Sequence, residues 1–253
     1  MLLVLGCGYT GLAVARRRVA TERVVGSTRD PARADVLRRA GLEVLSDVHQ
    51  CVVDSQTDVV LTFPPDGVTD LRLAPRCAMA RAVVYLSSTA VFGAVHGVVD
   101  DTTPVRRDSE RAALRLEAEA AWRAVGATVL RVPAIYGPDR GLHVRVRAGK
   151  HRVPGDGSQF VSRVHVEDLA SFVLAALARP DQETYVVGDL EPAAHGAVVD
   201  FICAEWGCAR PPHVPLEQSD ETLRGDRRVD PRRALAELGV TLAYPSYRDG
   251  MRR

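Results

Sequence analysis

The first eleven residues, MLLVLGCGYTG, place a short apolar strand directly before three glycines. A strand, a GxGxxG loop and a helical segment in this order are typical of a site for the pyrophosphate of a dinucleotide. Gly6 permits the tight turn, Gly8 removes a side chain that would block the phosphates, and Gly11 lets the helix pack close to the strand. The phosphates would then lie at the positive end of that helix. A second predicted strand, Arg23–Ser27, follows about twenty residues later, as the motif requires.

Strand-like runs alternate with helix-like runs, which predicts an α/β fold with a doubly wound parallel sheet of Rossmann type. The predicted strands are Leu2–Leu5, Arg23–Ser27, Glu43–Leu45, Asp58–Thr62, Ala82–Ser87, Ala127–Arg131 and Thr184–Val187. The predicted helices are Leu12–Val19, Pro31–Ala40, Asp108–Val125, Val166–Ala178 and one with Asp230 as N-cap, Pro231 first and Gly239 after its end. We expect a single domain over 1–253, with a small substrate lobe formed by about 137–163 and 188–253.

Composition argues against several classes of protein. Lys and Arg total 33 against 32 Asp and Glu, and a chain so near neutral is not expected to bind nucleic acid. The apolar runs are strand-sized and no charged leader precedes the first strand, so we expect no membrane span and no signal peptide. The five cysteines form no CxxC pair, which favours reduced thiols. These features predict a cytoplasmic protein that acts on a small molecule and binds no metal.

Five ordered segments resemble the extended short-chain dehydrogenase/reductases, a group that includes sugar-nucleotide epimerases and dehydratases. They are GCGYTG, LSSTAVFG (86–93), LRVPAIYGPDRG (130–141), GDGSQ (155–159) and SRVHVEDLA (162–170). The closing stretch RRVDPRRALAELGVTLAYPSYRDG resembles the end of an atypical bacterial branch, the NAD(P)-dependent epimerase/dehydratase-like proteins. The resemblance spans nearly the whole chain, and it is more specific for the fold than for the reaction.

This resemblance implies a path for the cofactor. Tyr9 and Thr10 would supply backbone contacts to the pyrophosphate, and Asp47 would meet the adenine amine. The segment after the fourth strand would line the adenosine and ribose, and the PAI segment would touch the nicotinamide. The residues assigned to the cofactor in this way are Gly6, Gly8, Tyr9, Thr10, Gly11, Asp47, Thr62, Phe63, Pro64, Ser87, Pro133, Ala134 and Ile135.

The end of the second strand bears on the choice between NAD and NADP. NAD enzymes usually carry an acid there, which accepts hydrogen bonds from the ribose hydroxyls. Here the strand ends Ser27-Thr28-Arg29, whose hydroxyls and guanidinium suit a 2′-phosphate. Asp30 follows, and we interpret it as the N-cap of the helix that begins at Pro31. We therefore expect NADP rather than NAD.

The family's catalytic pair, Tyr-xxx-Lys, is absent from this chain. Lys150 is the only lysine, and Val146 stands four residues before it. Alignment of RLEAE with the family's helix puts Arg111 in the place of the tyrosine and Arg115 in that of the lysine. A guanidinium stays protonated and is a poor proton donor. Arg111 would instead bind an anionic group or stabilise an oxyanion, unless it is simply an exposed helix residue.

Ser88 resembles the family's serine that hydrogen-bonds the reacting oxygen. It stands four residues before Phe92, where the family usually has tyrosine. The alternative is that Ser87, Ser88 and Thr89 form a hydroxyl cluster that caps the end of a strand.

The absence of the tyrosine affects the reduction of a ketone and the reduction of an iminium differently. A reduced ketone becomes an alkoxide and needs a proton, for which Tyr136, His143 and His165 are the nearest candidates. Each also has a structural interpretation: Tyr136 as a packing residue, His165 as part of HVEDL and His143 as a lobe-surface residue. Hydride addition to an iminium gives a neutral amine and needs no proton in that step.

We therefore expect an NADP(H)-dependent oxidoreductase acting on the carbonyl or imine of a small polar metabolite. Its candidate catalytic residues are Ser88, Arg111 and Tyr136. The alternatives are a dinucleotide sensor or regulator without turnover, and an epimerase or dehydratase that retains its cofactor. The helix near 109–125 resembles the one that such enzymes use to dimerise, which makes a homodimer possible.

Overall fold

The computed structural model describes residues 1–219 and 223–252, which are arranged around one sheet of seven parallel strands. In chain order the strands are β1 (Leu2–Leu5), β2 (Val24–Ser27), β3 (Glu43–Leu45), β4 (Asp58–Leu61), β5 (Ala82–Ser88), β6 (Thr128–Val132) and β7 (Thr184–Val186). Across the sheet their order is β7-β6-β5-β4-β1-β2-β3. All seven predicted strands are present, because continuous apolar runs between turn residues mark strands that are buried on both faces. The order reverses at β1 and β4, where ligands of such sheets bind.

Helices cover both faces of this sheet. The α-helices of the described residues are α1 (Tyr9–Arg16), α2 (Pro31–Arg39), α3 (Thr69–Leu73), α4 (Glu110–Arg123), α5 (Leu142–Arg147), α6 (Val166–Ala178), α7 (His195–Trp206), α8 (Arg232–Leu238) and α9 (Tyr247–Gly250). Side chains alternate along β1, so Leu2 and Val4 pack with α1, α2, α6 and α8. Leu3 and Leu5 pack on the opposite face, in the cluster that contains residues of α3 and α4.

The predicted start of α1 is wrong by three residues, since the helix begins at Tyr9 and includes Gly11. A Cβ at Gly11 would lie 2.8 Å from a β1 side chain, so the glycine is required by close packing rather than by a break in the helix. The predicted start of α8 is also wrong, by one residue. Asp230 nevertheless accepts a hydrogen bond from Arg232 N at 3.1 Å, and Gly239 ends the helix with φ +64°.

The chain after β6, together with one short strand between β5 and β6, adds short strands and helices beside the carboxyl ends of the sheet. The short pairs are Ala134–Tyr136 with Arg163–His165, His96–Val99 with Asp226–Val229, Val153–Pro154 with His213–Val214, and Phe160–Val161 with Ala193–Ala194. Helices α5, α7 and α9 share a third hydrophobic cluster, which includes Leu142, Ile202 and Tyr247. Helices α3, α5, α7 and α9 were not predicted from the sequence, and the nearly continuous apolar residues of α7 explain why this helix showed no helical period.

Two further findings concern the residues that the structure describes. None of their helices is long and apolar enough to cross a membrane. No group of three or more His, Cys, Asp or Glu side chains among them could hold a metal ion.

Candidate active site

The loop between β1 and α1 has the form of a phosphate cradle. Gly6 adopts φ +79°, which favours glycine, and its N–H donates to Ser27 Oγ at 2.8 Å. Gly8 is the N-cap of α1 with φ −81°, and a Cβ there would meet only the Gly6 carbonyl oxygen, 3.7 Å away. Packing therefore does not require a glycine at position 8. The space in front of the helix N-terminus stays open, which fits the pyrophosphate of a dinucleotide.

The end of β2 lies beside this loop. Ser27 is buried, and its hydroxyl is already an acceptor for the loop. Thr28 Oγ1 accepts from Asp30 N at 3.2 Å, and the Asp30 carboxylate accepts from Ala32 N at 3.0 Å. The second bond confirms Asp30 as the N-cap of α2. Arg29 is exposed and has no hydrogen-bond or ion-pair partner within residues 1–219 and 223–252.

Arg33, in the first turn of α2, also contacts the loop. Its guanidinium donates to the carbonyl oxygens of Cys7 at 3.2 Å and Gly8 at 2.5 Å. This contact was not predicted from the sequence, although the position of Arg33 three residues after the Asp30 N-cap was a usable signal. Burial raises the pKa of the Cys7 thiol to about 12, so this side chain stays protonated beneath the loop.

A cavity of about 770 Å³ runs from the N-terminus of α1 across the ends of β4, β5 and β6 to the lobe. It brings together residues predicted from distant parts of the chain. Those that line it are Thr10, Thr62, Phe63, Pro64, Ser87, Ser88, Arg111, Pro133, Ala134 and Ile135. The predicted residues Gly6, Gly8, Gly11, Ser27, Thr28 and Arg29 belong to the cradle and the adjoining end of β2 instead.

Asp47 lies apart from both groups. It is exposed, and its Oδ1 accepts from His49 N at 2.9 Å as the N-cap of the helical turn Val48–Gln50. Its contact with adenine stays a prediction.

One face of α4 carries Arg111, Arg115 and Glu119 in successive turns. Arg111 and Arg115 both line the cavity. Arg111 is exposed and has no partner in the described part of the chain, whereas Arg115 Nη1 donates to the Tyr85 hydroxyl at 3.2 Å and to the Leu86 carbonyl at 3.3 Å. The first arginine is therefore free to bind a ligand and the second is held by β5.

Glu119 is fully buried in a charged network behind the cavity. It accepts from Ser87 Oγ at 2.6 Å, from Arg131 Nη2 at 3.0 Å and from Arg123 Nη2 at 2.5 Å. The Ser87 hydroxyl proton is thus committed to Glu119, although this residue also lines the cavity.

Ser88 both caps a helical turn and lines the cavity. Its Oγ accepts from Ala90 N at 3.2 Å at the start of the turn Thr89–Phe92. The hydroxyl proton remains available for a ligand, so capping and substrate contact are compatible. Phe92 is fully buried, with the Arg131 guanidinium 5.3 Å from its ring centroid, and it does not line the cavity.

None of the three proton-donor candidates reaches the cavity. Tyr136 is buried in the third hydrophobic cluster, where its hydroxyl donates to the Ser246 carbonyl at 3.2 Å. His165 Nδ1 accepts from Glu167 N at 3.3 Å as the N-cap of α6. His143 is buried rather than at the lobe surface. The assignment of Tyr136 as a spare acid is therefore corrected, because packing directs this side chain away from the cavity.

The cavity is strongly basic. The ionisable side chains among the described residues that line it are Asp139 and five arginines, Arg111, Arg115, Arg140, Arg145 and Arg227. No tyrosine, lysine, histidine or cysteine is among these residues. Apart from Asp139, only serine and threonine hydroxyls remain as side chains that could pass a proton.

Tyr9 lies between the cradle and the loop that follows the short strand Ala134–Tyr136. Burial, and then the neighbouring Asp139, raise the pKa of Tyr9. The guanidinium of Arg140 lies over the Tyr9 ring, 5.4 Å from its centroid. This loop therefore covers the start of α1 on the phosphate side of the cavity.

Comparison with known proteins agrees with this geometry. Residues 2–188 match the family model described as the NAD dependent epimerase/dehydratase family. A curated relative, the 3-diazoavenalumate denitrifying reductase of a Streptomyces species, is 29% identical in an alignment 212 residues long, and the match covers 74% of this chain and 69% of that protein.

Solved structures share the fold over nearly the whole chain. A functionally unknown conserved protein from Silicibacter pomeroyi is 34% identical with a TM-score of 0.89, covering 99% of this chain and 96% of its own. MoeE5 in complex with UDP-glucose and NAD is 22% identical with a TM-score of 0.81, covering 99% and 95%. The human epimerase family protein SDR39U1 with NADPH is 17% identical with a TM-score of 0.76, covering 99% and 98%.

Proposed function

Because this chain belongs to the NAD-dependent epimerase/dehydratase family, we propose that it is an NADP(H)-dependent oxidoreductase that works without a Tyr-xxx-Lys pair. Its substrate is a small polar molecule with a carbonyl or imine group. The observation that carries the proposal is that Arg111 and Arg115 both line the cavity. The resemblance aligns these two arginines with the family's tyrosine and lysine. Ser88 lines the same cavity and keeps its hydroxyl proton free.

The preference for NADP rests on the residues after β2. Asp30 caps α2 through its Oδ1, which directs this carboxylate toward the N-terminus of that helix. The exposed guanidinium of Arg29 is available for the 2′-phosphate, and Arg33 adds positive charge beside Gly8.

Reduction of a protonated imine needs no proton donor, whereas reduction of a ketone does. When bound, the dinucleotide supplies a hydride, and its addition to an iminium carbon sends the C=N electron pair to nitrogen, which gives a neutral amine without proton transfer. Ser88 would orient the reacting group through its free O–H, and Arg111 would bind the substrate. Asp139 is the one carboxylate among the described lining residues, and it lies on the Tyr9 side of the cavity.

The name of the curated relative describes a denitrifying reductase of a diazo compound, which removes nitrogen from its substrate. It supports a reduction as the reaction class, and the choice of an imine rests on the residues that line the cavity.

The test is the oxidation of NADPH in the presence of matched ketones and preformed imines. We expect turnover with imines and little with the corresponding ketones. Reduction of ketones without reduction of imines would contradict the proposed mechanism.

The absence of the Tyr-xxx-Lys pair also favours a second function, a dinucleotide sensor without turnover. NADPH binding with no oxidation across the whole panel would support this alternative. An epimerase or dehydratase is less compatible with the site, because that chemistry usually also requires the tyrosine.

A further inference from the structure

The five arginines of the cavity differ in what they contact. Arg115 is held by the Tyr85 hydroxyl and a backbone carbonyl. Arg140 lies over the Tyr9 ring at the start of α1, on the phosphate side. Three arginines from three separate elements remain for a substrate: Arg111 of α4, Arg145 of α5 and Arg227 of the strand Asp226–Val229.

The positive charge of these three side chains is not neutralised by the described residues around them. Arg111 and Arg145 are exposed and have neither a hydrogen-bond nor an ion-pair partner in residues 1–219 and 223–252. Arg227 donates to a neutral acceptor, the Gly93 carbonyl. Burial lowers the pKa of Arg227 and the charge of Asp108 opposes that fall, yet the two form no ion pair. Three such charges around one cavity, here called the arginine cluster, attract an anion.

Apolar side chains lie directly beside Arg227. Val229 stands two residues after it in the same strand and therefore on the same face, and both line the cavity. Phe160 is attached to this strand, since its N–H donates to the Asp226 carboxylate at 2.8 Å. The Arg228 guanidinium covers the Phe160 ring at 3.9 Å from its centroid. The ring, which also lines the cavity, is thus a fixed and planar apolar surface next to positive charge.

We propose that the polar group of this small substrate is a carboxylate, and that the substrate also has an apolar and planar part that packs on Phe160 and Val229. Its carboxylate is bound by the arginine cluster, since guanidinium groups pair with carboxylates in a bidentate geometry. A sugar phosphate would also satisfy the arginines. Its hydroxyls, however, would lose water against Phe160 and Val229, whose side chains offer no hydrogen bond in return. This inference rests on the proposed function, because it names the substrate class of the same cavity.

The test is calorimetric titration of the full chain saturated with NADP⁺. The probes are cinnamate, its neutral analogue cinnamamide, and glucose 6-phosphate. We expect cinnamate to bind at least about tenfold more tightly than cinnamamide, in line with charge-assisted pairing. Glucose 6-phosphate is expected to bind more weakly than cinnamate.

The matched variants are Arg145→Gln and Arg147→Gln, both on α5. Arg147 lies outside the cavity, with its guanidinium 3.6 Å from the centroid of the Trp206 ring. We expect Arg145→Gln to weaken the binding of cinnamate about tenfold and to leave cinnamamide unchanged, and Arg147→Gln to change neither.

Three results would overturn the inference: equal binding of the acid and the amide, tighter binding of the sugar phosphate, or no binding of any probe by the NADP⁺-loaded protein. A separate titration with NADP⁺ alone distinguishes these results from failure of the proposed function. If the dinucleotide does not bind, the proposed function itself fails.

Discussion

Arg115 donates a hydrogen bond to the Tyr85 hydroxyl at 3.2 Å, which ties the middle of α4 to β5. Arg111, one turn earlier on the same face, has no such partner among the described residues. The two arginines that the resemblance aligns with the family's pair therefore have different surroundings. Arg115 is positioned by the protein, whereas Arg111 is left for a ligand.

This difference predicts that substitution of Arg111 affects substrate binding and that substitution of Arg115 affects stability. Arg111→Ala is expected to raise KM about tenfold with little change in stability, because an exposed guanidinium that binds only substrate is lost. Arg115→Ala is expected to lower the free energy of unfolding by about 1 kcal/mol through its lost hydrogen bonds. Steady-state kinetics and urea unfolding of both variants check this. A larger loss of stability in Arg111→Ala would contradict the account.

Substitutions of Ser88 and of Tyr136 are also predicted to have different effects, the first on kcat and the second on stability. Ser88→Ala removes the free hydroxyl in the cavity and is expected to lower kcat about tenfold or more. Tyr136→Phe removes only the bond to the Ser246 carbonyl, so kcat should stay unchanged while the free energy of unfolding falls by about 1 kcal/mol. The measurement is kcat with a preformed imine. A strong fall of kcat in Tyr136→Phe would show that the tyrosine takes part in the reaction.

The sequence was sufficient for the parallel sheet and for the cavity residues that belong to ordered motifs. Buried strands and glycine loops have patterns that can be recognised locally. The resemblance aligned Arg111 and Arg115 with the family's pair, and both line the cavity because helix spacing keeps positions four apart on one face. Arg145 and Arg227 were missed for a physical reason. In a chain with many dispersed arginines, only tertiary packing decides which of them face the cavity.

The lobe was harder to predict for a similar reason. Helix α7 is nearly apolar on all sides and therefore lacks a visible period, although Gly207, with φ +63°, marks its end. Tyr136 is buried by packing with α5, α7 and α9, and no local sequence pattern predicts how these helices pack.

The buried network around Glu119 is predicted to contribute strongly to stability. Glu119→Ala leaves Arg131, which is 6% exposed, without its carboxylate partner and should lower the free energy of unfolding by about 3 kcal/mol or more. The control is Glu117→Ala, which removes an exposed pair with Arg107 at 3.6 Å and should cost less than about 1 kcal/mol. Urea unfolding of both variants measures the difference. Equal effects would show that the network is not stabilising.

The paired histidines His151 and His195 predict a pH effect. Their Nε2 atoms lie 2.8 Å apart. Burial, followed by nearby arginines such as Arg163 and Arg145, lowers the pKa of His195 to about 3 and that of His151 to about 4. Both pKa values lie below the ordinary value of 6.5, so the folded state keeps the rings neutral while the unfolded chain takes up protons.

The stability that this pair contributes is therefore fully present above pH 6.5 and is lost as the pH falls toward 4. Each histidine contributes a slope of up to about 1.4 kcal/mol per pH unit in this range. Asp189 acts in the opposite direction, since burial raises its pKa to about 8. The measurement is thus the difference in unfolding free energy between the protein and His195→Asn at pH 7 and pH 5. The wild type should lose more stability than the variant on acidification, and a difference that does not change with pH would contradict this.

The central claim is that the β1–α1 cradle and the end of β2 form a site for NADP. Its most direct test is a fluorescence titration with NADPH and NADH of the wild type, of Arg29→Asp and of a control variant. The control is Arg39→Asp, which makes the same charge change at an exposed position at the far end of α2. We predict that NADPH binds more tightly than NADH, and that only Arg29→Asp weakens NADPH binding, about tenfold or more. No detectable binding of either dinucleotide by the wild type would contradict the account.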